Sequence, residues 1–184
     1  MPTDKNQIIH TDIYTNSKQK FLTFIDKFSK FATIYPIQHA NHTEIIEKFR
    51  IYFNYKKPQK IIADNGFKDI NIKDFLKKEN ILMDLAKPHS HTGNSDVERL
   101  HNTITEKIRV LNIEQIKPIT TQALEAIQYY NALYHSTIKY TPNQAENNPT
   151  LKDEIYQNLL KSQTKRLEKQ NLNREKYKET RQEG

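Results

Sequence analysis

The chain has 184 residues, with 29 Lys and Arg against 22 Asp and Glu, a formal net charge of +7, 35% hydrophobic residues and no cysteine. That length accommodates one full core plus an appendage, and the lack of cysteine excludes disulfides and Cys-based zinc modules. Three glycines are too few for a P-loop or a dinucleotide fingerprint, so no nucleotide cofactor is expected.

The basic balance suits an anionic partner such as a phosphate backbone. Met1-Pro2-Thr3-Asp4-Lys5 carries no apolar signal stretch, and no run reaches the roughly 18 apolar residues of a membrane helix. A soluble, non-secreted protein without membrane contact is expected.

Residues 7–37 read as three strands. Ile9, Ile13, Leu22, Phe24, Phe31, Thr33, Tyr35 and Ile37 fall in short β-prone runs, separated by polar segments at 15–20 and 26–30. Links this short imply antiparallel hairpins. Thr43 can cap a following helix bearing Ile45, Ile46, Phe49 and Phe53, which Pro58 stops. Lys60 to Asp64 is then a short buried strand, and its return after a helix suggests a parallel crossover. A helix over about residues 71–80, with Ile72, Phe75 and Leu76 inward, leads to a last strand from Ile81 to Leu85.

Beyond Pro88, His89-Ser90-His91-Thr92-Gly93-Asn94-Ser95 has the composition of a loop. It delivers a helix with Val97, Leu100, Ile104, Ile108 and Leu111 on one stripe, and Glu98 at the margin of that stripe in the first turn. Thr120 or Thr121 begins another helix carrying Leu124, Ile127, Tyr130 and Tyr134. After Pro149 the chain turns strongly charged, and the segment from Lys161 to Gly184 reads as a solvated helix or a disordered arm.

Three acidic residues carry the chemistry. Asp64 ends the apolar run Ile61-Ile62-Ala63, Glu98 follows 34 positions later, and Asp12 sits within the strand-like run Ile8 to Tyr14. Each has a duller explanation: Asp64-Asn65-Gly66 is turn composition, Ser95-Asp96-Val97-Glu98 matches a capping box, and an edge strand would tolerate Asp12. Asp26 competes with Asp12 for the first carboxylate, although its place before Lys27-Phe28-Ser29-Lys30 suits a turn starter. Brought together, three carboxylates repel one another unless a divalent cation lies between them. The pattern therefore points to metal-dependent phosphoryl transfer on nucleic acid. The seven histidines show no zinc spacing.

Phe21 to Phe31, Ala63-Asp64-Asn65-Gly66, Pro88 through Val97-Glu98-Arg99-Leu100-His101, Tyr130-Asn131, His135-Ser136-Thr137 and Thr141-Pro142 occur in order. Together they resemble the integrase catalytic core of gypsy-like LTR retrotransposons and retroviruses, over roughly residues 7–147. The resemblance implies an α/β, ribonuclease H-like fold, a five-stranded mixed sheet flanked by helices, followed by the charged C-terminal tail. It divides the chain into an extension at 1–6, a catalytic core at 7–147 and a tail at 148–184.

It further implies that Asp12, Asp64 and Glu98 hold two Mg2+ or Mn2+ ions, with Asp26 structural and with Asn94, Arg99, His101 and Lys107 as DNA contacts. The implied activity is 3′-end processing and strand transfer on element ends and target DNA, by a homo-oligomer in the nucleus. Two departures stand out. The Asp64–Glu98 interval is two residues short of the family's pattern, and Asn94-Ser95-Asp96 replaces an Asn-Gly-Gln run, setting an extra negative charge near the phosphate path. An inactive remnant that binds nucleic acid without cleaving it is the alternative.

Overall fold

In the computed structural model of the chain, residues 1–86, 95–114 and 117–182 are described. β1 (Ile8–Asn16) and β2 (Gln19–Asp26) form an antiparallel hairpin whose two-residue turn places Ser17 at φ 55°. Asp26 then organises the turn to β3 (Ala32–Ile37). Its buried carboxylate accepts the amides of Phe28 at 2.8 Å, Ser29 at 2.7 Å and Asn6 at 2.6 Å. Burial raises its pKa and these amides oppose the rise, so Asp26 is the turn starter its neighbours suggested.

α1 (His42–Phe53) begins two residues earlier than expected. Asn41, not Thr43, is its cap, accepting the Glu44 amide at 2.9 Å. β4 (Lys60–Ala63) returns parallel to β1; α2 (Ile70–Lys78), capped by Asp69, leads to β5 (Leu82–Leu85), parallel to β4. The result is one mixed sheet of five strands in the order β3-β2-β1-β4-β5.

Strand alternation divides the core between the two faces of the sheet. Ile9, Leu22, Phe24 and Ile61 pack on Phe49 of α1 and on Ile72 and Leu76 of α2. Tyr14, Phe21 and Ile25 point the other way. They meet Val97, Leu100, Ile104 and Ile108 of α3 (Ser95–Glu114) and Ala123, Ala126, Ile127 and Tyr130 of α4 (Ile119–Ala132). The stripe expected on α4 is thus partly misplaced: Leu124 is 51% and Tyr134 63% exposed. Two alanines face α3 and the sheet because small side chains let the backbones approach closely.

α5 (Pro142–Asn147) carries a complete Thr141–Gln144 capping box, and α6 (Lys152–Gln182) follows. The charged tail is a helix rooted by Ile155 and Leu159, which join Phe28, Ile138 and Ala145 in a third cluster. Leu167 and Leu172, farther along, are exposed.

Candidate active site

Asp12 lies in the middle of β1, beside Thr23 of β2, on the face that carries Tyr14 and meets α3. β4 runs parallel on the other flank, with Ala63 beside Thr11. Asp64, extended at φ −77° and ψ 178°, continues that register and comes to Asp12's side on the same face. Its Oδ1 accepts the amide of Gly66 at 2.8 Å, capping a short 3-10 turn over Asn65–Phe67. A Cβ on residue 66 would stand 2.9 Å from that oxygen, so glycine here serves close approach.

Glu98 comes from the exposed edge of the first turn of α3, next to the buried Val97. Two polar contacts fix how α3 lies on β1 and β2. The hydroxyls of Tyr14 and Thr105 are 2.9 Å apart, and Thr23 Oγ1 is 2.8 Å from His101 Nε2. The Tyr14 and His101 rings also pack at 5.0 Å. With His101 over Asp12's cross-strand neighbour, Glu98 lies about one helical turn away on the same side of the sheet.

The electrostatics record this convergence. Asp12 is pushed up to about 6, first by burial and then by the negative charges of Asp64 and Glu98; the Ile13 amide, 2.8 Å from its Oδ1, acts in the opposite direction. Three acids far apart in sequence therefore share one electrostatic neighbourhood. All-oxygen donors suit a hard divalent cation in kind. Among the described residues, however, no three His, Cys, Asp or Glu side chains stand close enough together to hold a metal ion. The carboxylates share a face without closing into a ligand group.

Of the other residues singled out, Arg99 is exposed beside Glu98, and the Lys107 ammonium sits 4.5 Å above the Tyr129 ring. His101 turns its ring to the sheet, and burial pulls it down to about 4. His10, on Asp12's face, is likewise pulled down to about 4, and neither ring nitrogen has a partner among the described residues. Asn94, with His89 and His91, lies outside the described residues.

Asp96 is no free negative charge. It forms an ion pair with Lys30 at 2.8 Å, the two side chains being 13% and 5% exposed. Burial alone would raise Asp96, yet the Lys30 ammonium overrides it and holds the carboxyl well below the usual range. Lys30 reaches it from a backbone at φ 60°, which no hydrophobic pattern signals. Sequence reasoning also missed Thr23, whose importance follows only from its register opposite Asp12. Asn131, singled out only as part of a motif, accepts the Ala32 amide at 2.9 Å and donates to the Ala32 carbonyl at 2.8 Å, fastening α4 to β3.

No protein-family model matches the chain. It is 33% identical over 138 residues, 72% of its length, to the Retrovirus-related Pol polyprotein from transposon 297 of Drosophila melanogaster. It is 29% identical over 147 residues, 77% of its length, to the corresponding polyprotein from transposon gypsy of the same organism. The chain spans only 13% and 14% of those polyproteins.

Among solved structures, the fold matches a chain of the simian T-cell lymphotropic virus intasome with a TM-score of 0.72 and 18% identity, over 80% of this chain and 56% of that one. It matches the HTLV-2 integrase catalytic core domain in complex with magnesium with a TM-score of 0.66 and 18% identity, over 77% of this chain and 97% of that one. The catalytic core domain of BIV integrase gives a TM-score of 0.65 at 13% identity, over 76% and 92% of the two chains. At such identities these structural matches establish the fold.

Proposed function

We propose, for a chain that is an integrase catalytic core of the gypsy-like retroelement and retroviral kind, that it is a metal-dependent polynucleotidyl transferase acting on DNA ends. One observation carries the reading: Asp12, on the central strand, is raised first by burial and also by the charges of Asp64 and Glu98, which arrive on the same face from the end of β4 and from α3. In this reading Asp12, Asp64 and Glu98 are the catalytic carboxylates and hold two Mg2+ or Mn2+ ions. Bound there, the ions would supply activation of an attacking hydroxyl and neutralisation of charge on the scissile phosphate.

The protein's own part is positioning. Asp12 and Asp64 present oxygens from neighbouring parallel strands, whose register is fixed by the β1–β4 ladder. Glu98 is carried by a helix that His101 and Thr105 lock to the sheet. Arg99 and Lys107, from the same helix, contact phosphates, with Asn94 as a further contact; His101 sets the seat of the helix. Contacts of this type go to the backbone and impart little sequence preference.

Residues 7–147 form the catalytic unit and 148–184 the charged tail, whose helix α6 spans Lys152–Gln182. The working form is a homo-oligomer bringing element ends to target DNA in the nucleus. Structures of the HTLV-2 core in dimeric and trimeric forms support the oligomeric part of this reading.

The test is a magnesium- or manganese-dependent nicking and strand-transfer assay on a short duplex. Asp64→Asn is expected to abolish cutting and joining while duplex binding persists; retained cutting refutes the carboxylate assignment. A second reading, a remnant that binds DNA without cleaving it, is favoured by the absence of a closed ligand group among the described residues. Salt-sensitive binding with neither cutting nor joining by the unmodified chain selects it.

A further inference from the structure

Away from the three carboxylates, a cavity of about 210 Å3 opens between the β2–β3 turn, the start of α3 and the near half of α6. Its lining includes Lys27 and Lys30 from the turn, Asp96 from α3, and Ser162, Gln163 and Arg166 from α6. Lys30 is neutralised by Asp96 at 2.8 Å. Lys27 and Arg166 have no carboxylate partner among the described residues. The cavity, which Met1 and Pro2 of the N-terminus also line, thus holds two side-chain cations outside any ion pair among the described residues, the half-buried Lys27 and the exposed Arg166, beside the hydroxyl of Ser162 and the carboxamide of Gln163.

Lys27 is half-buried, so its charge is poorly served by water. Its pKa is lowered first by burial and then by the positive charge of Lys30, with Lys60 and Arg166 adding to it against Asp96. An ammonium in that position lacks an anion. A tetrahedral oxyanion matches the donors available: the Arg166 fork offers two parallel N–H groups, Lys27 a point charge, and Ser162 and Gln163 neutral donors. A carboxylate would use the fork and leave the remaining donors idle.

We propose that this cavity is a phosphate-binding site, separate from the catalytic carboxylates, in which Lys27 and Arg166 grip one phosphate group with Ser162 and Gln163 completing its hydrogen bonds. The phosphate can belong to a DNA backbone or to a phosphate monoester, and the first source rests on the DNA-acting function proposed above. Because α6 supplies half of the grip and the β2–β3 turn the other half, occupation fastens the charged helix to the core. The tail is then part of a binding surface.

Two measurements on the full chain separate these sources. Calorimetric titration with inorganic phosphate, against sodium chloride at equal ionic strength, is expected to show saturable binding to the wild type. In Lys27→Gln/Arg166→Gln that binding is weakened by at least about tenfold, with the melting temperature unchanged and partial recovery in Lys27→Arg/Arg166→Lys. The salt dependence of duplex binding, measured without divalent cations, gives the second reading. A fall in the slope of log K against log salt by about 0.9 in the double Gln variant identifies a backbone phosphate.

Lost phosphate binding with an unchanged slope identifies a monoester. No saturable phosphate binding by the wild type, or equal binding by the double variant, overturns the site. None of these readouts depends on cleavage, so a failure of the catalytic assignment leaves them interpretable.

Discussion

The hydroxyl of Thr23 stands 2.8 Å from Nε2 of His101 while giving its own proton to the carbonyl of Asp12, 2.9 Å away. Since that proton is committed, the contact requires Nε2 to carry a hydrogen and donate it. One imidazole thereby links α3 to the strand that bears Asp12. The ring is neutral, because burial pulls it from its ordinary 6.5 to about 4.

A pH dependence follows. Between about 4 and 6.5 the unfolded chain binds a proton at His101 that the folded chain does not. Stability therefore rises with pH across that window and is lost as acid is added, by up to about 3 kcal/mol from this group. His101→Gln keeps a donor for Thr23 and removes the titration, so its urea-unfolding curves should lose that share of the acid sensitivity between pH 7 and 4. An unchanged pH profile would show that His101 takes up its proton as readily in the folded chain as in the unfolded one. His101→Ala lacks the donor and is expected to be about 1–3 kcal/mol less stable at pH 7.

Gly66 tests Asp64 without touching its charge. In Gly66→Ala the new methyl would lie 2.9 Å from Asp64 Oδ1, so the carboxylate must turn away from its place over the turn. No glycine in the described residues has positive φ, which keeps backbone strain out of the comparison. Metal-dependent cutting should fall by about tenfold or more, as expected when a reacting geometry is displaced by a fraction of an ångström to an ångström. The melting temperature should move little, and full activity would show that Asp64 does not work from this position.

Asp12 is expected to oppose stability in the absence of metal. Burial and the charges of Asp64 and Glu98 push it up to about 6, so at pH 7 it is ionised against its surroundings. Asp12→Asn should stabilise the metal-free chain at pH 7 by about 1–3 kcal/mol, an advantage that fades as pH falls through 6 and the wild-type group protonates. Added Mg2+ or Mn2+ should raise the melting temperature of the wild type and much less that of the variant, through preferential binding to the folded state. Equal shifts in the two proteins would remove Asp12 from the metal site. Asp26→Asn serves as contrast: Asp26 is occupied by three backbone amides in the β2–β3 turn, so its substitution should leave the Mg2+ or Mn2+ shift in melting temperature as large as in the wild type.

What the sequence made legible depended on periodicity. Val97, Leu100, Ile104 and Ile108 announce the buried stripe of α3 because large apolar side chains recur at helical spacing. Asp12 was legible as an anomaly, an acid within a strand that faces a helix. On α4 the same rule misplaced the buried face, since Ala123 and Ala126 carry too little hydrophobic signal to outweigh Leu124. Polar contacts across the fold were not legible: the donation by Asn131 to Ala32 and the acceptance by Thr23 depend on distances that appear only once the sheet register is set. The resemblance supplied the choice between Asp12 and Asp26, and the hydrogen bonds of Asp26 give it a structural occupation.

The Lys30–Asp96 pair was hidden for that reason, and it offers the sharpest energetic test. Both side chains are nearly buried, so the pair bears a desolvation cost that only mutual attraction offsets. Lys30→Met leaves Asp96 as a buried carboxylate without its cation, and Asp96→Leu strands the ammonium. Each single change is expected to cost about 3–5 kcal/mol. The double variant, with two apolar side chains facing each other, should lie within about 1–2 kcal/mol of the wild type. Lys30 sits at φ 60°, and methionine, unbranched at Cβ like lysine, adds no new strain there. A cycle of urea denaturation curves on the four proteins gives the coupling directly. Additive losses would mean that the two charges are each satisfied by solvent, and that the start of α3, two residues before Glu98, is not anchored through this contact.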